Sequence, residues 1–428
     1  MKILGLDIGT TTVSAVVTEN GRVLAAETQA SRAFLPGRPA WEKAQDAAAL
    51  EALALAIADR LLARFPGVER IGLTGQQHGI VYLDAAGNLL SPLYTWQDGR
   101  GELPCSTGQS YCACLSELTG YPLATGYGLV THFYNLKNGL VPANAVTFCT
   151  IHDYLAMRLA GRSTPAVDPS DAASFGVFDV KNRRFDTEAL ARAGIDAALL
   201  PPVAAEPLLG TGPRGIPVYT AIGDNQASFL GATGGEPGCM LVNVGTGSQF
   251  SVHTAEYLPC AGLETRPFPT GGYLLAGSSL CGGRAYALLE QFFRQTAQML
   301  GHPAGSCYEA MARLLDSSPV PDDPAVIMPL FQGTRENPQL RGSITNLGID
   351  NFTPLSLLYG MMRGMAAELH EMYLRSGTAG GALYGSGNGL RKNPQLRRCF
   401  EEAFGKPLLL SQNEEEAACG AALFASMQ

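Results

Sequence analysis

Two similar segments far apart in the chain carry the residues whose types and spacing most strongly suggest chemistry. LDIGTTT at residues 6–12 and VNVGTGS at 242–248 each have an apolar strand-like run, a polar residue and then a Gly-Thr turn. Backbone N–H groups at glycine-rich turns form concave anion sites, so the pair predicts a duplicated unit with a nucleotide held between the copies. A Gly-Thr turn after a strand is also common without a ligand. A third glycine-rich turn, YGSGNG at 384–389, favours the phosphate interpretation.

Asp224 is the carboxylate whose position is most suggestive. It follows the β-branched run at 218–222 and precedes a small-residue helix start. A carboxylate at such a strand–helix corner projects beside helix N–H groups that have no partner within the helix. The ordinary alternative is a helix N-cap with no chemical role.

Three polar segments in the first half of the chain could bind a substrate. Gln77 and His78 follow the strand-like run at 71–74, and side chains at the carboxyl end of a strand face a crevice in an open α/β sheet. YTWQDGR at 94–100 combines an aromatic wall with a carboxylate and a guanidinium, which can bind a polyol through stacking and charge-assisted hydrogen bonds. An interior histidine and a surface Asp-Arg turn are the alternatives. DPSDAAS at 168–174 is either a loop scaffold or a substrate rim.

An α/β framework is needed to position these residues. A Glu19-Asn20-Gly21 turn predicts a hairpin, and a hinge between two lobes is expected just beyond residue 222. The predicted strands are 13–17, 23–27, 71–74 and 218–222, and apolar residues at helical spacing predict helices at 47–65, 151–159, 283–300 and 355–374.

Length and composition limit the classes of function. A chain of 428 residues exceeds what one hydrophobic core normally serves, so two domains are expected. Hydrophobic content of 46% with 16% charged residues is typical of a globular protein. A net charge of −8 argues against nucleic acid and anionic membranes as partners, which leaves a small-molecule substrate.

Several absences favour a cytoplasmic location. Asp7 interrupts any signal-peptide apolar run, and no stretch of 18 apolar residues occurs. The ten cysteines lack a disulfide-like spacing and are expected to be free thiols. Cys105, Cys112 and Cys114 come closest to a cluster, but no second pair at zinc spacing accompanies them.

Taken in order, the motifs LDIGTTT, GQQHG, YTWQDGR, IHDY, GDNQAS, VNVGTGS, LFQG and YGSGNG resemble those of the FGGY carbohydrate kinases over nearly the whole chain. Within the family, TWQDGR, IHDYLAMRLAG and TGYG at 125–128 are most similar to the sedoheptulokinases. The resemblance implies an α/β, two-lobed ribonuclease-H-like (actin-like ATPase) fold with duplicated five-stranded mixed sheets and flanking helices. It also implies a sugar-binding lobe at 1–222 and a nucleotide-binding lobe at 223–428, with ATP and Mg²⁺ as cofactors.

Site residues carry over from the family by motif. Asp224 matches the catalytic base, and Asp7 matches the carboxylate that organises Mg²⁺. The sugar-binding positions are Gln77, His78, Trp96, Asp98 and Asn225. The nucleotide-binding positions are Gly9, Thr10, Thr11, Gly245, Thr246, Gly247, Gly333, Gly387 and Asn388. These roles fit phosphoryl transfer, which needs positioning and charge neutralisation more than covalent chemistry.

Two positions depart from the family pattern. Ser14 stands where many relatives carry Lys or Arg, and Gln77 stands where ketose kinases usually carry Met.

The sequence predicts an ATP-dependent kinase acting on a terminal hydroxyl of a ketose, with a heptulose favoured over the pentuloses xylulose and ribulose. Glycerol is less favoured, because glycerol kinases carry Arg-Glu where this chain has Gln77-His78. A non-catalytic nucleotide switch and a sugar sensor are the alternatives from another class. The sequence does not decide between a monomer and a homodimer.

Overall fold

The computed structural model describes residues 1–302, 305–334, 337 and 339–428. The chain forms two compact units. The first consists of Met1–Gly235, Arg266–Gly272 and Asn413–Gln428, and the second of Glu236–Thr265 and Tyr273–Gln412.

Strands and helices alternate along both units. In the described residues the strands are β1 (Lys2–Ile8), β2 (Thr12–Glu19), β3 (Arg22–Ala30), β4 (Ala44–Gln45), β5 (Val68–Gly75), β6 (Val81–Leu83), β7 (Leu93–Tyr94), β8 (Thr147–Cys149), β9 (Phe178–Asp179), β10 (Arg184–Phe185), β11 (Leu208–Thr211), β12 (Pro217–Tyr219), β13 (Ile222–Gly223), β14 (Met240–Val244), β15 (Ser248–Thr254), β16 (Glu264–Pro267), β17 (Tyr273–Ser279), β18 (Val326–Met328), β19 (Ser343–Thr345), β20 (Leu383–Ser386) and β21 (Leu408–Leu410). The α-helices are α1 (Ala47–Arg64), α2 (Tyr111–Thr119), α3 (Gly128–Lys137), α4 (Ile151–Leu159), α5 (Pro169–Ala172), α6 (Thr187–Ala193), α7 (Asp224–Thr233), α8 (Gly282–Met299), α9 (Tyr308–Ser317), α10 (Pro354–Ser376), α11 (Asn388–Lys392), α12 (Pro394–Phe404) and α13 (Glu416–Met427).

The main sheet of the first unit has the strand order β11-β12-β5-β1-β2-β3, with β13 also beside β5. Strand β1 is antiparallel to β2 and parallel to β5. Leu4, Leu6 and Ile8 are fully buried in the core that this sheet shares with α1 and α4. A strand buried on both faces has a nearly continuous apolar sequence, as β1 does.

The sheet of the second unit repeats this topology. Its order is β16-β17-β15-β14-β20-β21, and β14 is antiparallel to β15 and parallel to β20. The five strands β3-β2-β1-β5-β12 therefore correspond one by one to β17-β15-β14-β20-β21. The predicted duplication of an α/β unit is confirmed. The predicted count of five strands describes only this shared part, because β11 and β13 extend the first sheet and β16 extends the second.

Helix α13 packs against the first sheet and against α7. Two glycines allow this close approach, because a Cβ on Gly5 would lie 2.0 Å from the carbonyl oxygen of Ala418, and one on Gly72 would lie 2.1 Å from that of Ala421. For this reason 224–235 and 413–428 belong to the first unit, and its bounds differ from a division between residues 222 and 223. The assignment of sugar and nucleotide to separate lobes stays a prediction.

The predicted helices all form with ends close to those expected. The segment predicted as one strand at 218–222 instead forms two short strands. Val218 pairs with Ile71, whereas Ile222 pairs with Thr74, and between them Thr220 N–H donates to the carbonyl of Pro207. The cysteines are free thiols. Among the described residues, no helix is both long and apolar enough to cross a membrane.

Candidate active site

Strand register brings Asp7 and Asp224 to the same edge of the first sheet. Asp7 pairs with Thr74 on β5, and Thr74 pairs with Ile222 on the other side. Asp224 follows Gly223 as the first residue of α7. The N-cap alternative is wrong, because Gly223 holds the cap position and no side chain caps the helix.

The carboxyl group of Asp7 interacts electrostatically with Asp224 and His152. Burial and the negative charge of Asp224 raise the pKa of Asp7 to about 7, against a lowering effect of His152. A Cβ on Gly9 would lie 4.0 Å from Asp7 Oδ2, so the carboxylate also faces the first glycine turn. Oxygen donors with excess negative charge suit Mg²⁺, which prefers carboxylates and water. The residues present therefore fit the predicted metal.

A buried histidine–aspartate pair lies at the start of α4, near this sheet edge. His152 Nε2 is 3.0 Å from Asp171 Oδ2, and both side chains are fully buried. Burial and the charge of Asp171 raise the pKa of Asp153 well above its usual range. Burial would also raise the pKa of Asp171, but the His152 imidazole and hydrogen bonds from Asp153 and Thr150 outweigh it and lower that pKa to about 2. Both ring nitrogens of His152 and Oδ1 of Asp153 are nevertheless buried without a partner in hydrogen-bond geometry among the described residues, and the ligand atoms of His152, Asp153 and Asp171 all lie within 4.8 Å of one another.

His152 packs tightly against the ends of β1 and β5. A Cβ on Gly75 would lie 2.9 Å from His152 Nδ1 and 2.7 Å from the carbonyl of Ile8. The imidazole therefore packs directly against the strand ends that carry the candidate catalytic residues. IHDY contributed only to the family resemblance, and the pair of His152 and Asp171 was not predicted from the sequence. Its only local signal is two polar residues directly after an apolar strand.

Gln77 supports the segment before Asp224. Its side chain is 3% exposed, and Nε2 donates to the carbonyl of Ser170 at 3.1 Å. A Cβ on Gly223 would lie 2.0 Å from Gln77 Nε2 and 2.5 Å from Gln226 Oε1. The Oε1 atoms of both glutamines are buried without a hydrogen-bond partner among the described residues. Gln77 thus lies beneath the strand end.

His78 stacks on Tyr127 at the same end of the sheet. The ring centroids are 4.6 Å apart and the planes are nearly parallel. His78 has a left-handed backbone, with φ 72°, and its N–H donates to Ser174 Oγ. The ring atom Nδ1 lies 2.7 Å from the carbonyl oxygen of Ser174, so a proton on Nδ1 leaves Nε2 as an acceptor. Tyr127 lies in the TGYG motif, but the sequence did not predict its contact with His78.

The segment at 168–174 acts as a scaffold. Asp168 caps the short helix α5 by accepting from Ser170 N–H at 2.8 Å, and Ser170 and Ser174 hold Gln77 and His78 through their backbone carbonyls. Burial raises the pKa of Asp168 to about 6. Of the two alternatives for this segment, the contacts therefore favour the loop scaffold.

Trp96 lies beside the first glycine turn. Its ring is 46% exposed, and Nε1 donates to Thr10 Oγ1 at 2.9 Å. The backbone of Trp96 packs closely against Gly126, whose Cβ would lie 1.9 Å from the Trp96 carbonyl oxygen. Since Gly126 precedes Tyr127, the structure brings Trp96, Tyr127 and His78 into one neighbourhood.

Asp98 is fully buried and forms a bidentate pair with Arg100. Arg100 Nε donates to Oδ1 at 2.7 Å and Nη2 donates to Oδ2 at 3.1 Å, and the backbone N–H of Lys43 also donates to Oδ2. The guanidinium lies 4.0 Å from the ring centroid of Tyr94 and hydrogen-bonds Asn135. The surface-turn alternative is therefore wrong. Both Asp98 oxygens already have partners, which suits a residue that holds the Trp96 segment in place.

The turn formed by Gly9, Thr10 and Thr11 is anchored through Thr10. Its carbonyl accepts from Gln45 Nε2 at 2.7 Å and from Ser31 Oγ at 3.0 Å.

Asn225 follows the candidate base in the chain. Its Nδ2 donates to Asp224 Oδ1 at 3.3 Å.

Ser14 occupies a buried polar site on β2. Its hydroxyl is 3.1 Å from Thr28 Oγ1, which donates to Glu415 Oε1 at 2.6 Å. The hydrogen-bonded hydroxyl groups of Ser14 and Thr28 thus stand at the position where the family resemblance implies a cation.

The second unit brings its glycine turns to the corresponding end of its sheet. In the turn of Gly245, Thr246 and Gly247, the carbonyls of the first two accept from Gly283 N–H at 2.9 Å and Arg284 N–H at 3.0 Å, so the turn lies on the N-terminus of α8. Gly387 has φ 86°, and a Cβ there would lie 2.5 Å from the Val244 carbonyl.

The remaining nucleotide-binding candidates of the second unit adjoin these turns. Asn388, the first residue of α11, follows Gly387 and lies next to the end of β14. Gly333 donates its N–H to the Leu330 carbonyl at 3.0 Å, and its neighbour Gln332 accepts from Arg284 Nη1 at 2.8 Å. The structure therefore brings these candidates together around the starts of α8 and α11.

Comparison with known proteins identifies the family of the chain. The N-terminal domain of the FGGY family of carbohydrate kinases matches residues 2–231, and its C-terminal domain matches residues 240–428. Sedoheptulokinase of Mus musculus is 28% identical over 98% of this chain and 96% of its own length, and apulose kinase of Pectobacterium atrosepticum is 27% identical over 98% and 88%.

Solved structures share the fold at lower identity. A xylulose kinase from Rhodospirillum rubrum aligns with a TM-score of 0.84 at 23% identity, covering 100% of this chain and 90% of that one. The chain therefore belongs to the FGGY family of carbohydrate kinases, which are phosphotransferases with the two-domain actin-like ATPase fold.

Proposed function

We propose that this kinase transfers the terminal phosphoryl group of ATP to a terminal hydroxyl of a ketose, and that a heptulose is its preferred acceptor. The observation that carries the proposal is the register that places Asp7 on β1 and Asp224 directly after β13, two strands that lie on either side of β5. A phosphoryl-transfer site needs one carboxylate for the metal and one for the acceptor, and these two occupy different elements.

In this proposal Asp224 accepts the proton of the attacking hydroxyl. It begins α7 and carries no capping duty, so its carboxylate is available to a ligand. Asn225 Nδ2 donates to it and orients one oxygen. Asp7 would hold Mg²⁺, which when bound neutralises charge on the transferred group.

The sugar is proposed to contact His78, Trp96 and Asn225. His78 is oriented by Ser174 and by its stack on Tyr127, and in this proposal its imidazole contacts a sugar hydroxyl. The exposed Trp96 ring offers an apolar face for the carbon skeleton. Gln77 and Asp98 contribute by holding these side chains in place, because their polar atoms are buried and largely engaged by the protein.

The nucleotide is proposed to bind through the glycine turns. Gly9, Thr10 and Thr11 would contact phosphate from the first unit. The second unit would contribute Gly245, Thr246, Gly247, Gly333, Gly387 and Asn388. Support in the second unit comes from Gly245, Thr246, Gly387 and Asn388, which adjoin the starts of α8 and α11, where the helix dipole favours anions; the first N–H groups of α8 donate to the Gly245 and Thr246 carbonyls.

The preference for a heptulose is supported by the sedoheptulokinases of mouse and human, which are 28% and 27% identical over almost the whole of both chains. The xylulose kinases that share the fold are 23% identical, whereas apulose kinase, at 27%, is as similar as human sedoheptulokinase.

The test measures ADP release with Mg-ATP and a panel of sedoheptulose, xylulose, ribulose and glycerol. We expect the highest kcat/KM with sedoheptulose, by about tenfold or more, since a site that hydrogen-bonds a hydroxyl discriminates against sugars that lack it. NMR of the product should place the phosphate on a terminal carbon. A higher kcat/KM with a pentulose would replace the heptulose by that sugar. If no acceptor raises ADP release above the level of the Asp224→Asn variant, the protein is a sensor or switch.

A further inference from the structure

We propose that Cys105 and Cys114 form a reactive dithiol site that a hydroperoxide converts into a disulfide. The two residues are nine positions apart and lie in the first unit, on the loop before α2 and on the first turn of α2. Nothing in the proposed kinase chemistry uses them.

The backbone places the two sulfur atoms on the same side of a tight loop. Cys105 N–H donates to the Gln109 carbonyl at 2.7 Å, and Gly108 N–H donates back to the Cys105 carbonyl at 3.0 Å, which closes a turn in front of the helix. Ser110 caps α2 by accepting from Ala113 N–H. Side chains in a helix tilt toward its N-terminus, so Cys114 leans back over this turn.

Hydrogen bonds connect the two thiols. Cys105 Sγ is 3.0 Å from Thr107 Oγ1, and the same hydroxyl is 3.6 Å from Cys114 Sγ. Cys114 Sγ also donates to Gln109 Oε1 at 3.6 Å. A disulfide needs Cβ atoms about 4 Å apart, and two sulfurs that contact the same hydroxyl come together when their side chains rotate toward each other.

The two sulfurs differ in chemical character. The hydrogen bond from Cys114, with those from Thr107, lowers the pKa of the Cys105 thiol to about 7. Burial and the donation to Cys105 raise the pKa of Cys114. Since the thiolate is the nucleophile, Cys105 reacts first and Cys114 resolves.

Cys112 is the nearest competitor and is directed elsewhere. Its thiol is buried and donates to the carbonyl of Leu123 at 3.4 Å. Burial also raises its pKa. Cys105 and Cys114, in contrast, are both partly exposed, so a small hydroperoxide reaches them from solvent.

The reaction balances in two steps. The Cys105 thiolate attacks one peroxide oxygen, an S–O bond forms, the O–O bond breaks, and the departing hydroxide takes up a proton to leave as water. The Cys114 sulfur then attacks the Cys105 sulfenic acid, the S–S bond forms, the S–O bond breaks, and a second water leaves with the Cys114 proton. Two thiols are oxidised by two electrons in total and one peroxide is reduced.

The experiment treats the folded full chain with stoichiometric hydrogen peroxide and maps disulfides by peptide mass spectrometry. We expect a single Cys105–Cys114 disulfide, with a loss of about 2 Da and of two titratable thiols. Cys307→Ser, which removes another partly exposed thiol, is the matched control and should leave the disulfide unchanged.

Two variants test the order of reaction. In Cys114→Ser, a dione probe should trap a sulfenic acid on Cys105, whereas Cys105→Ser should react at least about tenfold more slowly, because the nucleophile is lost. Absence of the disulfide in the wild type, a different partner for Cys105, or oxidation of Cys105 no faster than of Cys307 would overturn the proposal. These readouts do not depend on kinase activity.

Discussion

At the scale of single residues, Asp224 is the most direct test of the chemistry. Asp224→Asn keeps the size of the side chain and the start of α7 but removes the proton acceptor. We expect kcat to fall by about 10² to 10⁴ with the KM values for ATP and sugar changed less than about threefold, as is usual for a positioned base. Steady-state kinetics measure this. A variant that keeps more than a tenth of the wild-type kcat would show that Asp224 is not the base.

Asp7 links the same site to stability. Its pKa is raised from 3.8 to about 7 in the folded protein, so the folded state favours the proton and stability is lost as pH rises from about 4 through 7. In EDTA, Asp7→Asn should therefore be more stable than the wild type at pH 8, by on the order of 2 kcal/mol after allowing for the partial exposure of Asp7. Urea unfolding across pH measures this, and the gain should shrink toward pH 4. A gain that is constant with pH would rule out titration as its cause.

His78 and Asp98 were both predicted to bind sugar, but their surroundings predict different phenotypes. His78→Ala should raise the sugar KM about tenfold, because one hydrogen bond and a stacking face are lost, while the melting temperature changes little. Asp98→Ala leaves the buried Arg100 without its carboxylate and should cost about 3 to 5 kcal/mol of stability. Thermal unfolding with sugar kinetics separates the two. An Asp98→Ala protein of wild-type stability with a raised sugar KM would restore Asp98 as a direct ligand.

At the scale of elements, the junction of β13 and α7 depends on a glycine. A Cβ on Gly223 would overlap Gln77 Nε2, so Gly223→Ala should lower stability by about 1 to 3 kcal/mol and lower kcat by displacing Asp224. Gly67→Ala is the matched control, since its Cβ would meet only Lys2 side-chain atoms at 3.8 Å or more.

Adding Gln77→Ala to Gly223→Ala tests the cause. The smaller side chain removes the overlap with Gln77 but leaves the one with Gln226 Oε1, so the double variant should recover part of the stability lost in Gly223→Ala. Chemical denaturation of the four proteins forms a double-mutant cycle. Additive losses would mean that Gly223 is required for another reason.

The four helices predicted from the spacing of apolar residues all form, but others, such as α2, α12 and α13, were not predicted. Asp46 caps α1, and α10 begins at a Thr353 cap with Pro354 and ends at Gly377 in a left-handed conformation. The split of 218–222 into β12 and β13 could not be predicted, because it depends on which residues of β5 each part pairs with.

The candidate site was predicted only where a motif is continuous in sequence. Asp7, Asp224 and the glycine turns could be found because each lies directly after a strand-like run. The pairs His152–Asp171 and His78–Tyr127 join residues far apart in the chain, and no periodicity reports such contacts. Burial also could not be predicted for Asp98, because a charged turn is usually exposed.

At the scale of the whole molecule, helix α13 completes the first unit after the chain has formed the second. Deleting residues 413–428 should uncover the sheet face at Gly5 and Gly72 and destabilise the first unit. Hydrogen exchange should show loss of protection in β1 and β5, with that in β14 and β20 retained. Equal loss in both sheets would indicate that the two units unfold as one.

The packing of α13 on β1 also constrains how the protein is made. A ribosome synthesises the strands of the first sheet early, but the helix that covers them emerges only after the whole second unit. Until then an apolar sheet face has no covering helix, and exposed apolar surface on a nascent chain attracts chaperones and promotes aggregation. Translation speed through the second unit should therefore affect the yield of the folded first unit, although the two have separate cores.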